Sequence, residues 1–280
     1  MTARMMQQSD TRSRSPRGHP AIGLHGHTLG VKVAASAVTE AVGTFILVFT
    51  IVATAIAASL ARPVAGSPYE SLAVPVAGGL ALAVVVATLG RISGSHVNPA
   101  VTLGLAANRR FPWTCVPAYL LAQLVGASSA ALTAWAVFGD RARSVAHLAA
   151  TQPAPGVDIW RAFGTEAVVT FILVLAVVSL ASDSPVPSAV TASSIGAALA
   201  IAILISGPIT GAGVNPARSL GPMIVAWEFT DWWVYLTAPL LGGTLAVTLY
   251  DRVLRIGVTP TTQGCSAAST GERDGLLAAR

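Results

Sequence analysis

The chain has 280 residues, of which 53% are hydrophobic and only 10% are charged. A soluble domain carries about 25% charged residues, so this composition excludes an ordinary soluble protein and predicts one that crosses a membrane several times. The formal net charge of +5 would suit a nucleic-acid partner, but the cations sort to one side of the predicted membrane, and we expect no nucleic acid to bind.

Six apolar runs are each long enough to span a bilayer, which takes about 20 residues. They cover residues 33–60, 72–89, 116–138, 163–181, 190–205 and 232–253. The first run is too long for a signal-peptide core and lacks a convincing small-residue cleavage site, so we expect it to remain as a helix. Residues 1–30 and 258–280 flank a folded domain over 31–257, and we predict that both are disordered or mobile tails.

The Lys and Arg residues are divided unequally between the two faces. With both termini in the cytoplasm, twelve of the 17 lie on that side. The other five are Arg62, Arg141, Arg143, Arg161 and Arg218. This follows the positive-inside rule and predicts a multi-pass protein of the plasma or inner membrane with both termini cytoplasmic.

The remaining polar residues suggest neither a disulfide nor a cofactor. Cys115 and Cys265 both fall on the cytoplasmic side, where a structural disulfide is not expected. His19, His25 and His27 could form a metal tract, but they lie in a leader containing Ser, Arg and Gly, for which we predict disorder. No metal-ligand cluster or Ser-His-Asp set can be assembled, so we expect no metal, no cofactor and no enzyme activity.

Two copies of a twelve-residue pattern lie between the apolar runs. They read SGSHVNPAVTLG at 93–104 and TGAGVNPARSLG at 210–221. Asn followed by Pro begins a helix, because the Asn side chain caps free N–H groups and Pro has no N–H to leave unsatisfied. The runs Asn98, Pro99, Ala100 and Asn215, Pro216, Ala217 are therefore each predicted to start a short helix.

The duplication extends beyond these elements, since TEAVGTFILV at 39–48 matches TEAVVTFILV at 165–174. Each half, about 33–138 and 158–255, carries three spans, and an odd number of crossings inverts the second half. A helix of about ten residues reaches about 15 Å, half of a ~30 Å hydrocarbon core. We predict an all-α membrane protein of six transmembrane helices and two re-entrant half-helices that meet at a watery midplane. There the Asn98 and Asn215 amides are expected to donate to a solute.

The two Asn-Pro-Ala elements, the paired Thr-Glu segments and the run NPARSLGP at 215–222 resemble the aquaporin, or major intrinsic protein, family. The resemblance covers residues 33–255. It implies a homotetramer in the lipid bilayer with one pore per subunit for water and small uncharged solutes, closed to protons and ions. It further implies that Glu40 and Glu166 are buried acceptors that brace the re-entrant loops.

Arg218 also indicates a pore by itself, because a charge at membrane depth costs about 2.5–3.5 kcal/mol and normally faces a functional cavity. The resemblance places it in an outer constriction with Gly78, Ile203 and Ala212. Water-selective members have Phe and His at the first two positions, so Gly and Ile predict a wider, less polar opening. Ser219 stands where glycerol facilitators of the family usually have Asp.

The run RRFPW at 109–113, VPAY at 116–119 and the small filter residues resemble plant nodulin-type intrinsic proteins and their bacterial relatives. That group conducts glycerol, urea and neutral metalloid acids, which we expect here. A strictly water-selective channel is one alternative. Another is an ion-coupled transporter that uses Glu40 and Glu166, because transporters also combine inverted repeats with broken helices. For His96, which Gly213 replaces in the second copy, we expect a role in loop packing.

Overall fold

The computed structural model describes residues 22–30, 32–60, 72–182 and 186–255. In chain order the helices are α1 (Val33–Ser59), α2 (Ala73–Ser93), α3 (Pro99–Ala107), α4 (Val116–Phe138), α5 (Asp140–Ser144), α6 (Ile159–Ala181), α7 (Ser188–Thr210), α8 (Pro216–Ala226) and α9 (Trp232–Leu249). Six of them are long and apolar enough to cross a membrane. The half-helices α3 and α8 have nine and 11 residues. The predicted fold class is therefore confirmed.

Three spans are longer than their apolar runs predict. The helix α6 begins four residues earlier than expected, because Asp158 caps it by accepting from the backbone N–H groups of Trp160 and Arg161. The helix α7 continues through Pro208 to Thr210, and α2 continues past Arg91 to Ser93. Both α2 and α7 end at a glycine with positive φ, Gly94 and Gly211, which is the usual way to terminate a helix.

The helices pack as two similar halves. The helix α1 packs against α4 and α2, while α6 packs against α9 and α7, and α2 contacts α7 across the middle. Glycines make the crossings close: a Cβ on Gly126 would lie 2.3 Å from the carbonyl oxygen of Ala41, and one on Gly242 would lie 2.1 Å from that of Ala167. Small residues allow such backbone contact between membrane helices, where apolar burial alone does not favour one helix surface over lipid.

Consecutive spans alternate in direction, so the described chain starts and ends at one face of the bundle. We call this the N-terminal face and the other the opposite face. The half-helix α3 returns to the N-terminal face and α8 to the opposite face. Many apolar side chains on the outside of the bundle are exposed, as lipid contact requires.

The structure differs from the predicted tail over residues 22–30. These residues fold back on themselves, with a bridge between Ile22 and Thr28 and a short 3₁₀ turn at Leu24–Gly26. Leu24 is only 2% exposed and belongs to the main apolar core, which explains why the segment is ordered. Residues 1–21 and 256–280, including His19 and Cys265, lie outside the described residues.

Within the described ranges, no group of three or more His, Cys, Asp or Glu side chains could hold a metal ion. Cys115 is buried and has a free thiol.

Candidate functional site

Each half-helix begins at the asparagine of its Asn-Pro-Ala element. The Asn98 Oδ1 accepts from the backbone N–H of Ala100 at 2.8 Å, and the Asn215 Oδ1 accepts from that of Ala217 at 2.9 Å. Proline occupies the first helical position in both cases. The caps match the sequence expectation, and they aim the positive ends of two helix dipoles at the middle of the protein.

The two asparagine amides also tie the halves together. The Asn98 Nδ2 donates to the carbonyl oxygen of Val214 at 3.1 Å, and the Asn215 Nδ2 donates to that of Val97 at 2.7 Å. Both amide hydrogens were expected to be available to a solute, but one hydrogen of each is used in this exchange. An NH₂ group has two hydrogens, so one hydrogen per asparagine is not used in these two bonds.

The loops before the half-helices have a backbone that needs support. Val97 and Val214 have φ values of 41° and 59°, a region that β-branched residues rarely adopt. Glu40 Oε2 accepts from the N–H of Val97 at 2.7 Å, and Glu166 Oε2 accepts from that of Val214 at 2.6 Å. In both halves the other oxygen accepts from the preceding N–H at 2.9 Å. These contacts stabilise two strained loops at membrane depth, where lipid offers no hydrogen-bond partner for their backbone N–H groups.

Further contacts brace the two loops in parallel. The hydroxyl of Tyr119 donates to the carbonyl of Ser93 at 2.7 Å, and that of Tyr235 donates to the carbonyl of Thr210 at 2.8 Å. Gln123 adds a bond to Glu40 at 2.8 Å in the first half. The position that corresponds to Gln123 in the second half is a proline, so the two braces share a plan but differ in detail.

His96 packs within the first loop, as expected. Its Nδ1 lies 3.1 Å from the Thr102 Oγ1, and its ring meets those of Phe111 and Tyr119 at centroid distances of 4.8 and 5.1 Å. The ring also reaches the wall of the central cavity.

This central cavity runs between the two halves and contains both asparagines. Its wall is mostly apolar, formed by Leu47, Ile51, Leu82, Val86, Val101, Leu173, Val177, Ile195, Leu199 and Ile203. Several of these residues occupy equivalent positions in the two repeats, such as Leu47 with Leu173 and Val86 with Ile203. The repeat therefore shapes the pore wall as well as the fold.

A second cavity opens at the opposite face, and the two cavities meet at a ring of four residues. Ile51, Ile203, Ala212 and Arg218 line both cavities. Gly78 is buried and lines neither. A Cβ on Gly78 would lie 2.8 Å from the Ile203 Cδ1 and 3.1 Å from the Ile51 Cγ1. Gly78 therefore lies behind the ring, and the two isoleucines occupy the space that its missing side chain leaves.

Arg218 is the charged member of this ring. It is 4% exposed, and its Nη1 donates to the carbonyl oxygen of Ala149 at 3.0 Å. Ala149 lies on the connection between α5 and α6, which folds inward at the opposite face, so a loop outside the repeats helps to orient the guanidinium. The sequence indicated no role for this loop.

Ile51 is the ring residue that the sequence reasoning missed. It follows Glu40 by three helical turns and so lies on the same buried face of α1. The matching position in the other repeat is Val177, which also lines the cavity. The 126-residue offset and the face of Glu40 place Ile51 on the inner side of α1, but they do not distinguish it from Val177 as a member of the ring.

Comparisons with known proteins agree with this architecture. A family model for the major intrinsic protein matches residues 28–250. Probable aquaporin NIP7-1 of Arabidopsis thaliana is 38% identical over 76% of this chain and 74% of its own length. Nodulin-26 of Glycine max is 36% identical over 83% of this chain and 82% of its own.

The chain belongs to the major intrinsic protein family. Members of this family are channels for water and small solutes and not enzymes, and this chain is such a multi-pass membrane channel. The fold of the family is also seen in the aquaglyceroporin from Plasmodium falciparum, which matches with a TM-score of 0.72 at 24% identity, over 80% of this chain and 97% of that one.

The substitution Glu166→Gln tests whether the Glu166 carboxyl stabilises the loop before α8. A glutamine places an NH₂ group where a carboxyl oxygen accepts from Gly213 or Val214. Leaving a buried donor unmatched costs about 1–3 kcal/mol. We expect a lower melting temperature in detergent and a lower water permeability per molecule in proteoliposomes.

The control is Glu228→Gln, because Glu228 makes one exposed contact of 2.7 Å with His147. We expect this variant to match the unmodified channel in both measurements. Equal effects of the two substitutions would contradict the bracing role of Glu166.

Proposed function

We propose that this channel passively conducts water and small uncharged solutes, namely glycerol, urea and neutral metalloid acids, and that it excludes protons and ions. The observation that carries the proposal is the ring where the two cavities meet, with three apolar side chains and one arginine. Carbon-bound hydrogens of a polyol fit the apolar side of such a ring, while Arg218 donates to its oxygens. No cofactor takes part in this process.

The ring favours solutes larger than water. Ala212 is small, and Gly78 has no side chain behind the isoleucines. Ile51 and Ile203 fill part of that space, so the opening is narrower than glycine alone predicts. It is nevertheless less polar than the Phe and His pair expected of a strictly water-selective channel. The names of the relatives, aquaporin and nodulin-26, support conduction of water by this chain as well.

Exclusion of cations follows from charge along the pore. The N-termini of α3 and α8 both point to the midplane, and Arg218 adds a full positive charge toward the opposite face. A proton moving along a file of waters is repelled by the same positive electrostatic field.

We therefore propose two sites along the pore. The central site consists of Asn98, Pro99, Ala100, Asn215, Pro216 and Ala217. The filter consists of Ile51, Ile203, Ala212 and Arg218, and Gly78 sets its width.

An ion-coupled transporter is less well supported. Glu40 and Glu166 are fully buried, and both oxygens of each accept hydrogen bonds from the loops. Neither side chain lines the central cavity. A coupling site needs a carboxyl group that the transported ion can reach.

We also propose that the N-terminal face is cytoplasmic and that the channel is a homotetramer in the plasma or inner membrane. The excess of Lys and Arg at that face supports the orientation, and the apolar outer surface offers contact area for neighbouring subunits. Protease access to tags at either terminus in spheroplasts tests the orientation. Native mass spectrometry in detergent tests the tetramer, and a monomer there would contradict it.

The transport proposal predicts faster equilibration of water, glycerol, urea and arsenous acid in proteoliposomes than in empty liposomes, measured by stopped-flow light scattering. Absence of any increase would overturn it.

The double variant Gly78→Phe, Ile203→His adds an aromatic ring behind the constriction and a polar ring within it. It is expected to reduce glycerol flux more than water flux, and equal loss of both would contradict the placement of these residues.

Ile51 provides a separate test of the ring. The substitution Ile51→Phe enlarges a side chain that lines both cavities, so we expect glycerol and urea permeability to fall several-fold and water permeability to fall less. Val42→Phe on α1 is the matched control, because Val42 is exposed on the outside of the bundle. A similar change in both variants would show that Ile51 does not contribute to selectivity.

A further inference from the structure

The folded segment of residues 22–30 occupies the N-terminal end of the pore. The His25 side chain lines the same central cavity as Asn98 and Asn215. Its ring packs against α2, since a Cβ on Gly90 would lie 3.0 Å from the His25 Cγ. Leu24 anchors the segment by packing into the main core. The segment therefore lies in the path between the cavity and the N-terminal face.

A third cavity lies on the other side of this segment. Leu24 and Leu29 of the segment line it together with Arg109, Arg110 and Phe111, and it opens toward the N-terminal face. His96 is the one residue that lines both this cavity and the central one. Residues 22–29 therefore lie between the central cavity and the third cavity, just as the ring of four residues lies between the central cavity and the second cavity.

We propose that residues 22–29 are a plug that closes the pore at the N-terminal face and that conduction requires the plug to leave. The inference rests on the proposed function, since a plug has meaning only in a conducting channel.

Three features of the segment are consistent with a contact that can form and break reversibly. The segment is held by backbone bonds within itself, Gly23 to His27 at 2.7 Å and His27 to Leu24 at 3.0 Å. Its apolar anchor is small, consisting of the buried Leu24 with the partly buried Leu29 beside it. Gly30, with φ of 72°, lies at the junction with α1 and can act as a hinge.

Protonation is a physical means of releasing the plug. Burial lowers the pKa of His25 from 6.5 to about 4, and it lowers the pKa of His27 as well. A released segment regains the ordinary pKa and binds more protons, so docking is strongest above pH 6.5 and weakens as the pH falls toward 4. From about pH 7.5 to about pH 5.5, His25 alone weakens docking about tenfold.

The charges around His25 do not offset this effect. His96 on the first loop lies close enough to both His25 and His27 for a positive charge on either ring to repel one on His96. The helices packed against the segment are α2 and α6. Their titratable side chains are Arg91, which is exposed, and Arg161 and Glu166, which lie in the half of α6 nearer the opposite face. Other charged residues near the N-terminal face are Lys32, Arg109, Arg110, Arg252 and Arg255, together with Asp251, whose carboxylate pairs with Arg110 at 3.3 Å.

The test compares the full chain with two variants that release the plug, in proteoliposomes at about pH 7.5. One variant lacks residues 2–29, and the other is Leu24→Ser, which removes the buried leucine of the apolar anchor. The control is Ile22→Ser, because Ile22 belongs to the same segment but is 73% exposed. Melting temperature and size-exclusion profile report whether each variant is folded.

We expect both releasing variants to raise water and glycerol permeability several-fold, with the ratio of the two unchanged because the filter is intact. Ile22→Ser should match the full chain. Acidification to about pH 5.5 should raise the permeability of the full chain and leave the deletion variant unchanged. Folded releasing variants that conduct no better than the full chain would overturn the plug. Failure of every protein to conduct, the deletion variant included, would instead overturn the proposed function.

Discussion

Two buried carboxyl groups hold the rest of the pore in place. A membrane interior cannot satisfy irregular backbone, yet each half of this protein brings a loop with left-handed residues to the middle of the bundle. Glu40 and Glu166 accept hydrogen bonds from the N–H groups of those loops. The carbonyl groups of Val97 and Val214 in the same loops accept from the asparagine of the other half. Loss of either carboxyl would remove two hydrogen bonds to the backbone of the loop that positions its half-helix.

The supporting frame is nearly symmetric, but the pore is not. The braces, caps and glycine crossings occur once in each repeat. Arg218, by contrast, corresponds to Val101 in the first repeat, and among the described residues that line the central cavity it is the one Lys or Arg. The inward-folded loop at Ala149 contacts that charge at the end of the pore nearer the opposite face. We propose that this end sets the selectivity of the pore, while the N-terminal segment occupies the other end.

Local sequence identified the central elements but not every part of the ring. The caps at Asn98 and Asn215 follow from short-range chemistry, and Arg218 is apparent because a charge at membrane depth is costly. Gly78 was expected to line the constriction but lies behind it, because neighbouring isoleucines from α1 and α7 occupy its space. Which apolar side chain reaches the pore depends on how the helices cross, and Ile51 resembles many other isoleucines and valines in the chain.

The sequence by itself determined the six spans, the inverted duplication and the two half-helices, because hydrophobic length and capping are properties of short segments. Only the tertiary structure decided that each asparagine gives one amide hydrogen to the other half and that four residues form the ring. It also decided that the segment around Leu24 folds into the pore mouth. Each of these depends on contacts between residues far apart in the chain, whose distances are set by helix packing rather than by neighbouring residues.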